Sequence, residues 1–291
     1  MNIKDLNYFH QLAAQKNFSK VADVFRVSQP TITMAIKRLE NYCGVPLIIR
    51  DRSHQAVELT NFGRQFDRHV VQILNELKMV NKEAEHARMG QVRFGLPPII
   101  GNYYFPSLVP NLLQQKLLDR LEIVEQGSNE VLKQLRHGNI DIALLGSLAP
   151  LTYRQLTAST IATMPFGILV ARDSDLAQKA VTGVHFRDLK GRQFVGLDEQ
   201  FIHHQAFRQV ATAAHIRPHV VYRTADVHVL GALVAEKIGI AFLTSLAADI
   251  NPQTVLLPLL DDQQPMFYIS KVRRAQTVLD GYKKELWNQL G

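Results

Sequence analysis

The sequence predicts an α/β multidomain protein with an N-terminal winged helix-turn-helix, one long linker helix and a larger C-terminal α/β region. Three observations predict it. Residues 1–59 hold three short helical periodicities and then two short strand patterns, and residues 60–89 repeat apolar side chains at heptad-like spacing. Residues 90–291 alternate strand and helix patterns. The 291 residues are too many for one typical core, which supports division at these boundaries.

The composition is that of a globular protein with a basic balance. Hydrophobic residues make up 46% and charged residues 20%, and the formal net charge is +7. The excess of Lys and Arg is denser in the first 90 residues, which weakly favours a polyanionic partner. The single cysteine, Cys43, allows no intramolecular disulfide and fits a reducing compartment. Neither a signal-peptide pattern nor a bilayer-length apolar run occurs, so we expect a cytoplasmic protein with no membrane partner.

The first helices are predicted from apolar spacing and from capping residues. Apolar side chains recur at helical spacing over about 5–15. We expect Ser19 to cap a short second helix, which ends at a turn at Arg26-Val27. Ser28 can cap a third helix, with Pro30 in its first turn, where a missing N–H costs nothing. Two short helices, a turn and a third helix form a helix-turn-helix, whose last helix fits the DNA major groove.

A hairpin is predicted to follow as a wing, with strands at Val45–Arg50 and Ala56–Leu59. Its Arg50 and Arg52 either lie beside the DNA backbone or minor groove, or are simply solvated. At the start of the third helix, Gln29 can pair with an adenine edge because an amide both donates and accepts. Lys37 and Arg38 are placed to meet phosphates. The expected DNA contacts are Ser19, Ser28, Gln29, Pro30, Thr31, Thr33, Lys37, Arg38, Arg50 and Arg52.

Five segments in this order resemble the DNA-binding signature of the LysR family of transcriptional regulators, over about 60 residues. At 34 and 35 the family's usual polar residues are replaced by Met34 and Ala35, which removes two potential base readers. The opening Met1–Leu6 and the wing Arg50–Gln55 are also similar to a subgroup that regulates malolactic fermentation. The narrower similarity implies a small carboxylate such as malate as effector. The five segments are Phe18–Ala22, Val27–Thr33, Ile36–Glu40, Gly44–Leu47 and Leu59–Gly63.

The linker helix is predicted to start at a Thr60 cap and to reach about Arg88, a length of roughly 40 Å. Its apolar seam either packs on its own domain or pairs with a second copy of the chain. Since so long a helix outgrows a winged-helix core, we favour a homodimer or homotetramer, as the family resemblance also implies. The seam consists of Phe62, Phe66, Val70, Ile73, Leu77, Val80, Ala84 and Ala87.

Strand and helix patterns alternate after Gly90, and this predicts a parallel sheet with helices on its faces. The predicted strands are Gln91–Leu96, Leu121–Glu125, Asp141–Leu145, Phe166–Ala171, Gln193–Leu197, Val220–Tyr222, Ile240–Leu243 and Met266–Lys271. The predicted helices are Asn102–Lys116, Asn129–Arg136, Ile202–Ala214, Val227–Lys237 and Ala275–Leu290.

The LysR resemblance implies a two-lobe effector-binding domain, similar to periplasmic binding proteins, with a ligand between the lobes. Lobe I would comprise 91–161 plus 266–291, and lobe II 162–265. Ligands of α/β sheets collect beyond the carboxyl ends of strands, where helix N-termini offer N–H groups. The Ser128 hydroxyl is either an effector contact or a plain helix cap. The expected effector contacts are Pro98, Ile99, Ile100, Gly101, Ser128, Ile202, His203 and His204.

Metal binding, catalysis, transport and an architectural role on DNA are the alternatives to a DNA-binding regulator. His203-His204 can be a solvated pair or an anion contact, whereas neighbours on a helix rarely bind one metal ion. We expect no metal and no cofactor, and we take Lys271, Arg273 and Arg274 as surface charges. No nucleotide-binding, nucleophile-elbow or zinc-protease motif supports an enzyme, and Cys43 reads as a buried small residue. A transport receptor would need export, and an architectural DNA-binding protein would not need a 200-residue second region.

Overall fold

The computed structural model describes residues 1–50 and 57–291, apart from the side chains of Arg50, His86 and Ala87. The chain divides into two compact units, Met1–Glu85 and His86–Gly291, called the N-terminal and C-terminal units below. Each has its own apolar core.

The N-terminal unit packs three helices around one core, with the start of a fourth. Phe9 and Ile36 are fully buried there, and the Phe9 ring meets the edge of Phe66 at 5.2 Å between centroids. Fully burying such a side chain contributes about 1.5–3 kcal/mol, so this core fixes the angles between the helices. The helices are α1 (Ile3–Gln15), α2 (Phe18–Phe25), α3 (Gln29–Cys43) and α4 (Asn61–Met89).

Capping side chains set the starts of these helices. Ser28 caps α3 as predicted, accepting from the Thr31 N–H, and the turn before it uses Arg26 at φ 53°. The prediction for α2 was wrong. Asn17 is its cap and accepts from the Lys20 N–H at 3.0 Å, so Ser19 lies inside the helix. An Asn side chain one residue before the helix reaches its first turn, which Ser19 from inside cannot do.

The wing strands are β1 (Ile48–Arg50) and β2 (Val57–Leu59), paired antiparallel. The first is shorter than predicted because the Leu47 and Ile48 N–H groups donate to the Glu40 carboxylate, at 3.0 and 3.4 Å. These two hydrogen bonds hold the start of the hairpin against α3. The wing tip, with Arg52, falls at 51–56, outside the described residues.

Helix α4 starts at the predicted cap, where the Thr60 hydroxyl accepts from the Gly63 N–H at 2.8 Å. Its seam divides between two environments. Phe66, Val70 and Leu77 pack into the core of the N-terminal unit. Three other seam residues, Phe62, Ile73 and Val80, are 41%, 42% and 58% exposed, and we call them the exposed stripe.

The C-terminal unit holds a seven-stranded sheet in the order β10-β6-β11-β5-β3-β4, with β9 also paired to β6. The strands β4, β3 and β5 are parallel, but β6, β9, β10 and β11 pair antiparallel. The prediction of a wholly parallel sheet was therefore wrong. The strands are β3 (Val92–Gly95), β4 (Leu121–Val124), β5 (Ile142–Ser147), β6 (Leu156–Ala171), β9 (Ala241–Thr244), β10 (Thr254–Pro258) and β11 (Met266–Arg274). A separate parallel pair comprises β7 (Gln193–Leu197) and β8 (His219–Thr224).

Strand β6 joins the two halves of this unit. Its first part pairs with β11, and its last residues pair with β9 and β10. The sequence revealed only its final, fully buried stretch from Phe166, because the earlier residues are partly exposed and carry no apolar run. Strand β10 was missed altogether.

Helices flank the sheet, and two predicted ones differ. A continuous helix over Asn102–Lys116 is excluded because Pro106 and Pro110 interrupt it. The last helix begins at Gly281, not Ala275, because β11 runs to Arg274. The helices are α5 (Pro98–Tyr103), α6 (Val109–Gln114), α7 (Ser128–Arg136), α8 (Ile202–Ala213), α9 (Val227–Ala235) and α10 (Gly281–Gln289).

The basic residues at the end of β11 are not surface charges as expected. Arg274 is buried and donates to the Leu135 and Ile140 carbonyls, at 3.1 and 3.2 Å. Lys271 is also buried, with Nζ 3.1 Å from the Trp287 carbonyl, and burial lowers its pKa. Backbone carbonyl groups thus provide the hydrogen-bond acceptors that offset the burial of these two charges.

Candidate functional site

The first turn of α3 presents an exposed polar surface. Ser28, Gln29, Pro30 and Thr31 are exposed, and Thr33 is half-buried. The Ser28 hydroxyl lies 2.9 Å from that of Thr31 as well as capping the helix. Those two hydroxyls thus hold each other in position, and Gln29, which follows Ser28, is exposed beside them in the chain.

The two basic residues further along α3 differ in their environment. Lys37 is exposed. Arg38 instead forms two hydrogen bonds to the Asp5 carboxylate of α1, from Nε at 3.1 Å and from Nη2 at 2.5 Å. Asp5 is almost completely buried, and this contact raises the pKa of Arg38. Arg38 therefore joins α3 to α1, a role that the sequence did not indicate.

The remaining predicted DNA contacts, and the two replaced positions of α3, differ in their environment. Ser19 is exposed on α2. Arg52 and the side chain of Arg50 lie outside the described part of the chain. Met34 is 51% exposed on α3, whereas Ala35 is fully buried. Position 35 is thus part of the core, whereas Met34 adds an exposed apolar group to this face of α3.

A narrow cleft in the C-terminal unit, with a cavity volume of about 20 Å³, gathers six of the eight predicted effector contacts. It lies beyond the carboxyl ends of β3, β4 and β7, and ligands of α/β sheets bind at such ends. Helices α7 and α8 both begin at it, and the first N–H groups of a helix have no partner within the helix. Its walls are Pro97, Pro98, Ile99, Ile100, Gly127, Ser128, Phe201, Ile202, His203 and Phe267.

Gly101 and His204 do not line this cleft. The Gly101 N–H donates to the Pro97 carbonyl at 2.8 Å within α5. His204 lies on the other side of α8, where its Nδ1 accepts from Arg223 at 3.1 Å. Burial, and then Arg223, lower the pKa of His204. The separation of the two histidines follows from the turn of about 100° between successive residues of a helix.

Ser128 is the first residue of α7, and the cap position is occupied by Gly127, which has no side chain to cap with. The Ser128 hydroxyl oxygen accepts from the Gly146 N–H at 3.0 Å. Its hydrogen is left to donate into the cleft. A Cβ on Gly127 would lie 3.1 Å from the Gln200 carbonyl, so a glycine lets the two cleft walls approach.

His203 is the unusual residue of the cleft. It is 3% exposed and packs against the rings of both Phe166 and Phe267, at 5.3 and 5.4 Å between centroids. Its Nε2 is buried and has no hydrogen-bond partner among the described residues. Burial lowers its pKa to about 3, so the imidazole of His203 is neutral at neutral pH.

A buried neutral histidine makes the stability of the C-terminal unit depend on pH. Between about pH 6.5 and 3 the unfolded chain binds a proton at His203 that the folded chain does not, so stability falls as pH falls. We expect His203→Asn to remove up to about 1.4 kcal/mol of this loss per pH unit. Denaturant unfolding at several pH values, compared between the wild type and the variant, measures the difference. Parallel curves would contradict a neutral buried His203.

Within the ranges that the structure describes, no group of three or more His, Cys, Asp or Glu residues is placed to hold a metal ion. No described helix is both long and apolar enough to cross a membrane. Cys43 is half-buried, not fully buried as expected, and burial raises the pKa of its thiol. A protonated thiol is a poor nucleophile.

Two family profiles together match nearly the whole chain. The bacterial regulatory helix-turn-helix protein, lysR family, matches residues 3–64, and the LysR substrate binding domain matches residues 85–291. A curated relative, the malolactic fermentation system transcriptional activator of Lactococcus lactis subsp. lactis, is 34% identical over 289 residues. That alignment covers 98% of this chain and 96% of the relative.

Solved structures share the fold at lower identity. A full-length OxyR variant from Pseudomonas aeruginosa has a TM-score of 0.57 at 22% identity, covering 100% of this chain and 98% of that one. Full-length CbnR complexed with its target DNA has a TM-score of 0.54 at 19% identity, covering 99% and 98%.

Proposed function

The chain belongs to the LysR family of DNA-binding transcriptional regulators. We propose that α3 binds the bases of the operator. We also propose that a small anionic effector, bound in the cleft, changes the affinity of the protein for this operator. The family is one of regulators and not of enzymes. The observation that carries the proposal is the pairing of an exposed polar first turn on α3 with a cleft at two helix N-termini. Access to DNA requires residence in the cytoplasm of a bacterial cell.

Each predicted segment of the chain is assigned its own function. Residues 1–59 bind DNA, 60–89 join and pair the chains, and 90–291 bind the effector. Within the last, 91–161 plus 266–291 form one lobe and 162–265 the other. Effector binding changes DNA affinity only if the ligand favours one arrangement of the lobes over another.

The DNA contacts are proposed in two groups. At the start of α3, Gln29 reads a base edge, and Met34 can contact a thymine methyl group. Lys37 meets phosphates, whereas Arg38 acts mainly by fixing α3 against α1 through Asp5. Polar and wing residues complete the backbone contacts: Ser19, Ser28, Pro30, Thr31, Thr33, Arg50 and Arg52.

Gln29→Ala should reduce base discrimination at one operator position by about 1–3 kcal/mol, since a bidentate amide–adenine pair is lost. Binding of the protein to a panel of operators, each altered at one base pair, measures the change. Lys37→Ala is the matched control on the same helix, because it should weaken binding to all operators equally. If Gln29→Ala left every preference unchanged, Gln29 would not be a base reader.

Self-association is proposed through α4. The exposed stripe recurs along one line of the helix, with Ile73 and Val80 one heptad apart. A second copy of α4 would cover these apolar side chains, and the two recognition helices would read two half-sites. The resulting assembly is a homodimer or a pair of dimers.

The effector is proposed to contact the six cleft residues Pro98, Ile99, Ile100, Ser128, Ile202 and His203. Helix N-termini and the Ser128 hydroxyl donate hydrogen bonds and suit an anion. The name of the Lactococcus relative and the similarity at Met1–Leu6 support an effector connected with malate. L-Malate is therefore the first candidate.

Selection of genomic fragments by the purified protein, with and without L-malate, tests this function. We expect enrichment of a pseudo-palindromic site and a footprint that changes with malate. Binding without sequence preference would overturn the regulator proposal. A site whose footprint ignores malate would overturn only the identity of the effector.

A further inference from the structure

The cleft is suited to an anion but offers it no permanent positive charge. Its ten lining residues include neither Lys nor Arg, and His203 is the one titratable side chain among them. Helix N-termini supply only partial charges, each equivalent to about half an elementary charge. An anion taken out of water usually needs a cation beside it.

On the basis of the proposed function, we propose that a small carboxylic acid binds this cleft together with one proton, which His203 holds at Nε2 against the ligand's carboxylate. The proton comes from solvent and remains on the imidazole, and the carboxylate stays ionised. No bond of the ligand forms or breaks. With a monocarboxylate the bound pair is then neutral overall, which an apolar cleft tolerates, whereas a dicarboxylate such as L-malate keeps one negative charge for the helix N-termini to stabilise.

The geometry supports this role for His203 and not for its neighbour. The Nε2 atom is buried and has no hydrogen-bond partner among the described residues, although it lies on the wall of the cleft. A buried polar atom without a partner is destabilising, and a hydrogen bond to a ligand oxygen would remove that cost. The Ser128 hydroxyl and the N-termini of α7 and α8 can donate to the same carboxylate.

The protonation of His203 is disfavoured by burial alone, with no charged neighbour contributing. An opposite charge within about 4–6 Å reverses such a shift, so an entering carboxylate restores the charged imidazole.

Charged and titratable groups nearby belong to other surfaces. On the elements around α8, His204 pairs with Arg223, and Glu199 and Arg208 act on His204. The Glu125 carboxylate lies near Gly101 of α5, and Tyr103 is affected by burial and by Asp226. None of these groups lines the cleft, so His203 alone is positioned to take up the proton.

The uptake of a proton by His203 can be tested by titration calorimetry on the full chain with L-malate, L-lactate and propionate. Propionamide is the uncharged isostere. Between about pH 5 and 6.5, below the ordinary pKa of an imidazole, we expect the affinity for any acid that binds to fall by up to about tenfold for each unit that the pH rises. Buffers of different ionisation enthalpy should reveal uptake of one proton per site. Propionamide should show neither uptake nor this pH dependence.

Two asparagine variants locate the proton. His203→Asn should abolish the uptake and flatten the pH dependence, while His204→Asn, one residue along α8, should leave both unchanged. Uptake that persists in a folded His203→Asn chain would mean that the ligand binds as the neutral acid, and this would overturn the proposal.

The remaining outcomes separate the two proposals. Binding of an acid with constant affinity across the pH range would overturn proton uptake and leave the effector cleft intact. Failure of all three acids to bind would overturn the carboxylate class. Neither result touches the selection of DNA fragments, which depends on α3 and needs no ligand.

Discussion

Replacing both Ile73 and Val80 by glutamate should convert the protein to a monomer and weaken operator binding about 100-fold or more. Both side chains belong to the exposed stripe of α4. In a dimer their apolar surface is covered, and carboxylates there would repel each other and lose hydration. Two linked recognition helices gain about 10²–10⁴ in affinity over one, and a monomer loses this gain.

Sedimentation measures the mass, and titration of a two-half-site operator measures the affinity. The matched control is Gln72→Glu with Asn75→Glu, two exposed positions of α4 outside the stripe. It adds the same charge and should remain dimeric. A dimeric Ile73→Glu, Val80→Glu chain with normal affinity would place the dimer contact elsewhere.

Gly63→Ala should lower the free energy of unfolding of the N-terminal unit by about 3 kcal/mol, the upper range for overpacking. A Cβ at this position would lie 2.0 Å from the Leu47 carbonyl oxygen, a backbone atom. That carbonyl cannot move away freely, because it accepts from the Thr60 N–H at 3.0 Å. The substitution must therefore push the wing and the start of α4 apart.

Denaturant unfolding with a signal from the N-terminal unit measures this loss. Gln65→Ala, two residues along the same helix and exposed, is the control, and it should stay within about 0.5 kcal/mol of the wild type. Equal stability of the two variants would show that α4 can shift to accept a Cβ at Gly63.

Features with local causes could be predicted from the sequence. The cap of α3 at Ser28 and the cap of α4 at Thr60 depend on a side chain reaching a backbone N–H three residues away. The cleft could be anticipated too, because strand ends and helix starts follow one another in the chain. Where two candidate caps stood close together, Asn17 and Ser19, the pattern alone did not decide between them.

The sequence could not predict which residues make up the site, because that depends on contacts between residues far apart in the chain. Both histidines fit an effector contact by sequence, but only His203 lies in the cleft, because the packing of α8 buries that side of the helix. Arg38 suits a phosphate by position, yet its guanidinium binds Asp5, 33 residues earlier. The spacing of apolar residues predicts which face of a helix is buried, but it does not predict which residue of another element contacts that face.

The sequence by itself determined the winged helix-turn-helix, the long α4 and the α/β character of the C-terminal unit, because spacing and capping act within a few residues. Only the tertiary structure decided that the sheet is mixed, that Arg274 and Lys271 are buried, and that His203 stands in the cleft without a partner. Strand order and the burial of charge depend on contacts between segments that lie tens of residues to more than a hundred residues apart. Arg274 is stable in the interior because the carbonyls of Leu135 and Ile140 receive it there.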